Sequence, residues 1–187
     1  GFWTQLFTAI ESLVGTVMFA ILTGVIYGRF SKPKSNIRFS ANALIAPFKD
    51  GQALIFRLAN ASQNKLTSVH VKVLLTYQEN GKNVFRYLDL DFDRIDFFPV
   101  SWTVVHPIND KSPLLHLDHV QLEEKEAEFI VNLEFYDNTY FTNMHVFHSY
   151  KWNELIWNAK FDPCFFPSHD QLSTEIHFDK LSSYSKM

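Results

Sequence analysis

The feature that most constrains this chain is the apolar run LFTAIESLVGTVMFAILTGVIY at residues 6–27, which contains one ionisable side chain, Glu11. As a helix the run would reach about 30 Å, the thickness of the hydrocarbon core of a bilayer. A buried helix of a soluble protein would normally carry a polar stripe. A signal peptide would have a basic leader and a shorter apolar run. We therefore predict one transmembrane helix over residues 1–28.

The charges that flank this run indicate its orientation. Arg29, Lys32, Lys34 and Arg38 follow it, whereas the five residues before it are uncharged. By the positive-inside rule the C-terminal side is cytoplasmic. The expected location is the cell (inner) membrane. Residues 29–36 are predicted to form a basic tether. Its cations are expected either to bind anionic lipid or only to set the topology.

Three residues inside the helix stand out. Gly15 and Gly24 permit bending or close helix packing. Glu11 would be costly in lipid, so it is either a functional carboxylate or a residue near the outer interface.

Period-two patterns follow Lys34 and indicate half-buried strands. Many short strands of this kind predict a mainly β fold, an antiparallel immunoglobulin-like sandwich over residues 37–187. The segment DLDFD at 89–93 is predicted to be an alternating strand, and a short helix is expected at 117–126. In the two clearest strands the residues expected to face the core are Val69, Val71, Val73, Leu75, Ala127, Phe129, Val131, Leu133 and Phe135.

The sequence contains no pattern that indicates covalent chemistry. His145 and His148 would point to opposite faces of a strand, so they could not share a metal there. The GxSxG, phosphate-loop and CxxC motifs are absent. The net charge of −3 disfavours a general nucleic-acid binder. We predict neither an enzyme nor a metal or cofactor site, and no nucleic-acid partner.

Several longer segments resemble one known family. The stretch GRFSKPKSNIRFSANALIAPFKDGQALIFRLAN resembles the membrane-exit and first-strand region of inward-rectifier potassium channels. SWTVVHPINDKSPL and ELIWNAKFDP are similar to two later segments of that family. The motifs occur in order across residues 6–165. SWTVVHPI and VIYGRF look closest to the prokaryotic branch.

The resemblance implies roles for individual residues. Residues 6–28 would be the pore-lining inner helix, with a hinge at Gly15 and an aromatic gate at Tyr27. Asn143 and Met144 would belong to a loop, residues 139–148, that narrows the cytoplasmic pore. Glu11 would support the selectivity filter. The remaining residues with implied roles are the pore-lining Phe19 and the lipid-binding Arg29, Lys32 and Lys34. The partners implied are three further copies in a homotetramer, anionic lipid and the permeant potassium ion.

The departures from the family pattern carry expectations too. Acids that hold blocking polyamines in strong rectifiers are matched here by Phe19, Ser68 and Asn138, which predicts weak rectification. The family's selectivity signature and first membrane helix are not in this sequence. We expect the chain to be part of a longer channel polypeptide.

One alternative remains open at this point. In this alternative the chain is not a channel subunit but a single-pass membrane protein with a β-sandwich binding module. Tyr27 would face lipid as an interfacial anchor.

Overall fold

The structure of the chain falls into two units. The computed structural model describes residues 1–31, 33–167 and 174–187. The units are Gly1–Lys34 and Ser35–Met187.

The first unit is a single long helix. Helix α1, Phe2–Phe30, is long and apolar enough to cross a membrane, and its residues are all exposed in this single chain. The helix ends where the Ser31 N–H donates to the Tyr27 carbonyl oxygen at 2.8 Å. Pro33 has no N–H with which to continue the hydrogen-bond ladder. The helix therefore runs two residues beyond the predicted end, and Arg29 lies in its last turn.

The second unit is a mainly β domain. Its strands are β1 Ile37–Phe39, β2 Ala43–Phe48, β3 Gly51–Asn60, β4 Leu66–Glu79, β5 Lys82–Leu88, β6 Arg94–Phe97, β7 Ser101–Ile108, β8 Glu128–Asp137, β9 Thr142–Lys151, β10 Leu155–Trp157, β11 Ala159–Phe161, β12 Phe165–Pro167, β13 Thr174–Ile176 and β14 Tyr184–Lys186. Helix α2, His119–Glu124, begins at a capping box in which the Gln121 N–H donates to the Asp118 carboxylate at 2.8 Å.

Two five-stranded sheets form the sandwich. The first sheet has the order β1-β3-β2-β10, with β7 paired to the other edge of β3. The second has the order β5-β4-β8-β9, with β6 paired to β4. Strands β2 and β10 pair in parallel, and the other strand pairs within the two sheets are antiparallel. Two short hairpins, β11–β14 and β12–β13, complete the described part. The predicted immunoglobulin-like β-sandwich behind one N-terminal apolar helix is confirmed.

The main core lies between the two sheets. Strand β4 contributes Val69, Val71 and Val73, each at most 1% exposed, and β8 contributes Phe129 and Leu133 in the same way. All nine residues predicted from period two to face the core are buried, so the predicted alternation is confirmed. Burial of each large apolar side chain of this kind contributes roughly 1.5–3 kcal/mol.

Strand β2 is covered on both faces. Ala43 and Ile45 pack in the main core. Leu44 packs in a second cluster with Ala159 and Phe161, on the other face of the first sheet. The prediction of a half-buried strand is therefore wrong here, because the β11–β14 hairpin covers the face that would otherwise be exposed.

The DLDFD segment differs from its prediction. Residues 89–93 form a connecting segment instead of a strand. Their backbone bonds are single contacts to two different strands: the Asp91 N–H donates to the Val105 carbonyl, and the Val71 N–H donates to the Asp93 carbonyl, both at 2.8 Å. The alternation of acids did not distinguish the two, because it is compatible with a solvent-exposed connecting segment as well as with a strand. Helix α2 is likewise shorter than the predicted 117–126.

A buried histidine fixes this connecting segment. His106 is 2% exposed; its Nδ1 lies 2.6 Å from the Asp89 carbonyl oxygen and its Nε2 lies 2.8 Å from Ser112 Oγ. Burial lowers the pKa of His106, and the hydrogen bond to Asp89 opposes that shift. The neutral ring is therefore the form that suits the folded state.

We expect this histidine to make the domain acid-sensitive. The folded-state pKa lies below the unfolded value of about 6.5. The neutral ring's contribution is therefore complete above that pH and is lost as pH falls through it toward the folded-state pKa. His106→Gln should reduce the loss of unfolding free energy between about pH 8 and pH 5.5, and should lower stability at high pH by roughly 1–3 kcal/mol. Urea unfolding of the detergent-solubilised chain at the two pH values measures both effects.

The exposed His116 provides a matched control for this experiment. His116→Gln should leave the pH dependence as in the parent chain. Burial also lowers the pKa of His148, so some acid sensitivity should remain in the His106 variant. Identical pH dependence in the parent chain and the His106 variant would contradict the assignment.

Candidate functional site

Helix α1 presents a face of uncharged hydroxyl groups. At about 100° per residue the members of this face fall within an arc of about 100°. We define the hydroxyl face as Thr8, Ser12, Thr16 and Thr23 together with the aromatic Phe19 and Tyr27.

The threonine hydroxyls of this face are satisfied inside the helix. Thr8, Thr16 and Thr23 donate to the carbonyl oxygens four residues earlier, at 2.9, 2.8 and 2.8 Å. Such bonds let hydroxyl groups occupy a membrane helix without needing water. The sequence argument expected no polar stripe, whereas the structure shows a narrow uncharged one. The opposite side of the helix carries Ile10, Val14, Val17 and Ile21.

The two aromatic residues of the hydroxyl face are prominent. Phe19 is 72% exposed and Tyr27 is 74% exposed in the single chain. They are separated by eight residues, or about 12 Å along the helix axis. Tyr27 lies in the last turn of α1 before Ser31. Phe30, three residues after Tyr27, lies within the same arc and is 82% exposed, so this face carries exposed rings toward the C-terminal end of α1.

The predicted hinge glycines and Glu11 lie within an unbroken helix. A Cβ atom placed on Gly15 or Gly24 would meet no atom within 4 Å in the single chain. Gly15 lies at one edge of the hydroxyl face, and Gly24 lies on the opposite side of the helix. Glu11 is exposed near the same edge as Gly15. Bending at the glycines and filter support by Glu11 stay predictions.

The basic residues that follow Tyr27 lie in different parts of the structure. Arg29 lies in the last turn of α1, where a cation stabilises the carbonyl end of the helix dipole. Lys34 is exposed in the connection between the two units. Lys32 lies outside the described residues. The lipid-binding role of the three cations stays a prediction.

The first residues of the sandwich are held by a buried polar cluster. The Tyr150 hydroxyl donates to the Ser40 carbonyl oxygen at 2.9 Å, and the Arg57 N–H donates to Ser40 Oγ at 3.1 Å. Burial raises the pKa of Tyr150. Phe39 stacks on His148 with ring centroids 4.6 Å apart. This contact between Tyr150 and Ser40 could not be predicted from the sequence, because local patterns do not pair residues that are more than a hundred positions apart.

The turn between β8 and β9 corrects one prediction. Residues 138–141 form the turn, and Asn143 and Met144 lie on strand β9 instead of in a loop. Asn143 is exposed, and Met144 is half-buried against the main core, so the loop assignment is wrong and the pore-lining role of both residues stays a prediction. The prominent apolar residue at the turn is Phe141, which is 78% exposed with φ of 52°. In the sequence, Phe141 can be recognised only as a bulky residue directly before a predicted strand.

Ser68 and Asn138, the two positions after α1 at which the resemblance implies acids in strong rectifiers, lie beside this turn. Ser68 sits at a bulge of β4 with φ of 50°, where the pairing with β8 shifts register. The Asn138 amide donates to the Lys65 carbonyl oxygen and to Thr67 Oγ1, both at 3.1 Å. Both substituted positions therefore lie at the same end of the second sheet, and neither side chain carries a charge.

A carboxylate that the sequence argument overlooked lies further along this sheet. Glu134 is paired in register with His70 on β4 and His145 on β9. The Lys72 Nζ lies 3.5 Å from a Glu134 carboxylate oxygen, and the Asn132 amide donates to the same oxygen at 3.1 Å. The negative charge of Glu134 is thus partly compensated by its neighbours.

The histidines are arranged as the strand period predicts. His145 points to the outer face of the second sheet, whereas His148 points inward and stacks on Phe39. The part of the chain that the structure describes contains no group of three or more His, Cys, Asp or Glu side chains placed to hold a metal ion.

Comparison with known proteins identifies the family. A model of the inward rectifier potassium channel C-terminal domain matches residues 37–186, which is nearly the whole sandwich unit. The chain belongs to the inward-rectifier potassium channel family.

Individual relatives agree with this assignment. Over 157 residues the chain is 31% identical to the inward rectifier potassium channel Kirbac3.1 of Paramagnetospirillum magnetotacticum, covering 81% of this chain and 53% of that protein. It is 28% identical over 186 residues to the ATP-sensitive inward rectifier potassium channel 12 of Gallus gallus, covering 91% and 43%. It is also 28% identical over 185 residues to the inward rectifier potassium channel 18 of Homo sapiens, covering 91% and 42%.

Family membership has three consequences. The similarity to Kirbac3.1 agrees with the predicted prokaryotic branch. The relatives are potassium channels and not enzymes, in agreement with the prediction that this chain is no enzyme. This family member is a membrane protein with a cytoplasmic C-terminal domain. The chain spans about half the length of the curated relatives it matches.

Proposed function

We propose that this chain supplies the pore-lining inner helix and the cytoplasmic gating domain of a homotetrameric, prokaryotic-type channel that conducts potassium ions across the cell (inner) membrane. The observation that carries the proposal is the hydroxyl face of α1, in a chain whose sandwich matches the inward-rectifier domain. A helix that faces lipid all round needs no such face. A helix that lines a pore can turn such a face to the axis, and four copies with this face inward would enclose a polar, uncharged pathway.

The gate in this proposal is Tyr27. Its ring is exposed on the hydroxyl face one turn before the helix ends. Four such rings around an axis make a bulky constriction close to the cytoplasmic mouth, and an apolar constriction can stop conduction by dewetting. Movement of the sandwiches would reach the rings through residues 31–36, which connect the two units.

We expect Tyr27→Ala to raise single-channel conductance or open probability in the full-length subunit that carries this helix, because it removes four rings from the constriction. Planar-bilayer recording of the reconstituted channel measures both quantities. Val25→Ala is the control, since Val25 is also exposed in the single chain but lies on the far side of the helix. Equal currents in the parent channel and the Tyr27 variant would return Tyr27 to the role of an interfacial anchor.

A native mass that does not correspond to four copies would contradict the tetramer.

Weak rectification follows from the charges along the proposed pathway. Phe19, Ser68 and Asn138 offer no carboxylate at the three positions that the family resemblance singles out. Glu134 remains on the outer face of the second sheet, but Lys72 lies 3.5 Å from it. A polycation therefore meets little uncompensated negative charge on its way into the pore.

We expect spermine on the cytoplasmic side to block this channel only weakly, with shallow voltage dependence. Phe19→Asp should add steep, voltage-dependent block, since it places four carboxylates around the proposed axis. Phe19→Asn is the neutral control of similar size to the aspartate and should leave block weak. Current–voltage curves with and without spermine measure the effect. Strong block of the parent channel, or equal block in the Asp and Asn variants, would contradict the proposal.

Anionic lipid is the proposed modulator at the cytoplasmic edge of the membrane. Arg29 and Lys34 are exposed immediately after the hydroxyl face, and Lys32 is expected to join them. Each cation near an anionic membrane surface contributes about 1 kcal/mol.

We expect the double variant Arg29→Gln/Lys34→Gln to need more anionic lipid for the same response, with the apparent affinity lowered roughly 30-fold. Potassium flux into liposomes of increasing phosphatidylglycerol content measures the response, whether it is activation or inhibition. Lys111→Gln removes an exposed cation from a loop of the sandwich and serves as control. Equal lipid dependence in the parent and the double variant would show that the two cations set topology only.

A further inference from the structure

A groove lies on the outer face of the first sheet. Its volume is about 330 Å³, and it lies on the same face as the second apolar cluster of Leu44, Ala159 and Phe161. Its walls are mainly apolar and come from Leu44, Ala46, Phe48, Ile55, Phe161 and Met187. The groove thus continues the small core between β2, β3 and the β11–β14 hairpin, but nothing in the described residues fills it.

A half-buried guanidinium lines this apolar groove. The guanidinium of Arg57 donates one hydrogen bond, to the Asp162 carbonyl oxygen at 2.6 Å, and stacks over the Phe161 ring at 4.6 Å. Burial lowers the pKa of Arg57, whereas the nearby Cys164 and Asp162 oppose that shift. A guanidinium has five N–H donors, and burial of its charge is costly when no anion is near.

The groove holds a second cation and no acidic side chain in its lining. Lys160 is exposed at its edge. Among the described residues neither Lys160 nor Arg57 lies within 4 Å of a carboxylate. The closest acid in sequence, Asp162, accepts the Ser185 hydroxyl at 2.6 Å instead. Two cations therefore line an apolar groove, and among the described residues neither forms an ion pair with a carboxylate; Asp162 acts on Arg57 only from beyond 4 Å.

We propose that this groove binds an amphiphilic carboxylate, a medium-chain fatty acid, with its carboxylate between Arg57 and Lys160 and its acyl chain along the wall of Leu44, Phe48 and Ile55. The planar fork of Arg57 suits bidentate recognition of a carboxylate. Thr103 is the other polar residue of the lining, so the groove has little with which to read a base or a sugar. The site lies entirely within the sandwich and does not depend on the channel proposal.

Methionine methyl signals provide a direct test. The chain has three methionines. Met187 lines the groove, Met144 packs against the main core, and Met18 lies on α1. The chain, labelled at its methionine methyl groups and held in nonionic detergent, is titrated with octanoate. We expect the Met187 signal to shift and saturate while the Met144 signal stays in place. A shift of Met18 alone would show partition into the detergent micelle and would overturn the proposal.

Variants separate the two cations from the apolar wall. Lys160→Gln should weaken octanoate binding several-fold, and since Lys160 is exposed this variant should fold normally. Arg57→Gln should abolish binding, and Arg57→Lys should restore part of it. Lys151→Gln, an exposed lysine on the other sheet, is the matched control and should bind as the parent chain does.

Other ligands test the chemical class. Octanol, which has the same chain length without the charge, should move the Met187 signal only at far higher concentration. ATP should leave that signal unchanged. The proposal is overturned if octanol binds as well as octanoate, if ATP competes with octanoate at Met187, or if Lys160→Gln and Arg57→Gln both bind octanoate like the parent chain.

Discussion

The packing of β4 and β8 against β2 and β3 is the contact on which the rest of the sandwich depends. Side chains from both sheets meet there in one continuous apolar cluster, and the alternation of β4 and β8 fixes which residues face outward. Because the period is two, a slip of one residue would turn Glu134 inward and expose Leu133. The same register places Ser68, Asn138 and Phe141 at a common end of the second sheet.

Buried polar groups then fix the segments that the apolar core cannot specify. His106 holds the connection at Asp89, and Tyr150 holds the backbone of Ser40, six residues after Lys34. A polar group that is desolvated must find its partner in one arrangement, since leaving it unpaired costs about 1–3 kcal/mol. The entry of the chain into the sandwich is therefore set by directional bonds, which suits a domain proposed to pass movement to a gate.

The parts that could be predicted from the sequence are those encoded by local pattern. Hydropathy defined the membrane helix, and alternation defined the core faces of β4 and β8, because both depend only on neighbouring residues. The prediction of a strand at DLDFD was wrong, since acids at alternate positions occur equally well in a solvent-exposed connecting segment. That Asn143 and Met144 lie on β9 could not be predicted without knowing where the turn ends. The groove beside Arg57 could not be predicted from the sequence, because its walls come from strands far apart in the chain.

The hydroxyl face also explains why the proposed pore is chemically reasonable without a central carboxylate. In the proposed pore Phe19 occupies the place where an acid would collect cations, and Thr23 lies between it and the ring of Tyr27. The threonine hydroxyls are already bonded to the helix backbone, so they expose weak dipoles and no charge. Such a surface neither holds a polycation nor binds potassium tightly, and a permeant ion must leave its sites easily if it is to be conducted. The same substitution that weakens block should therefore favour passage in both directions.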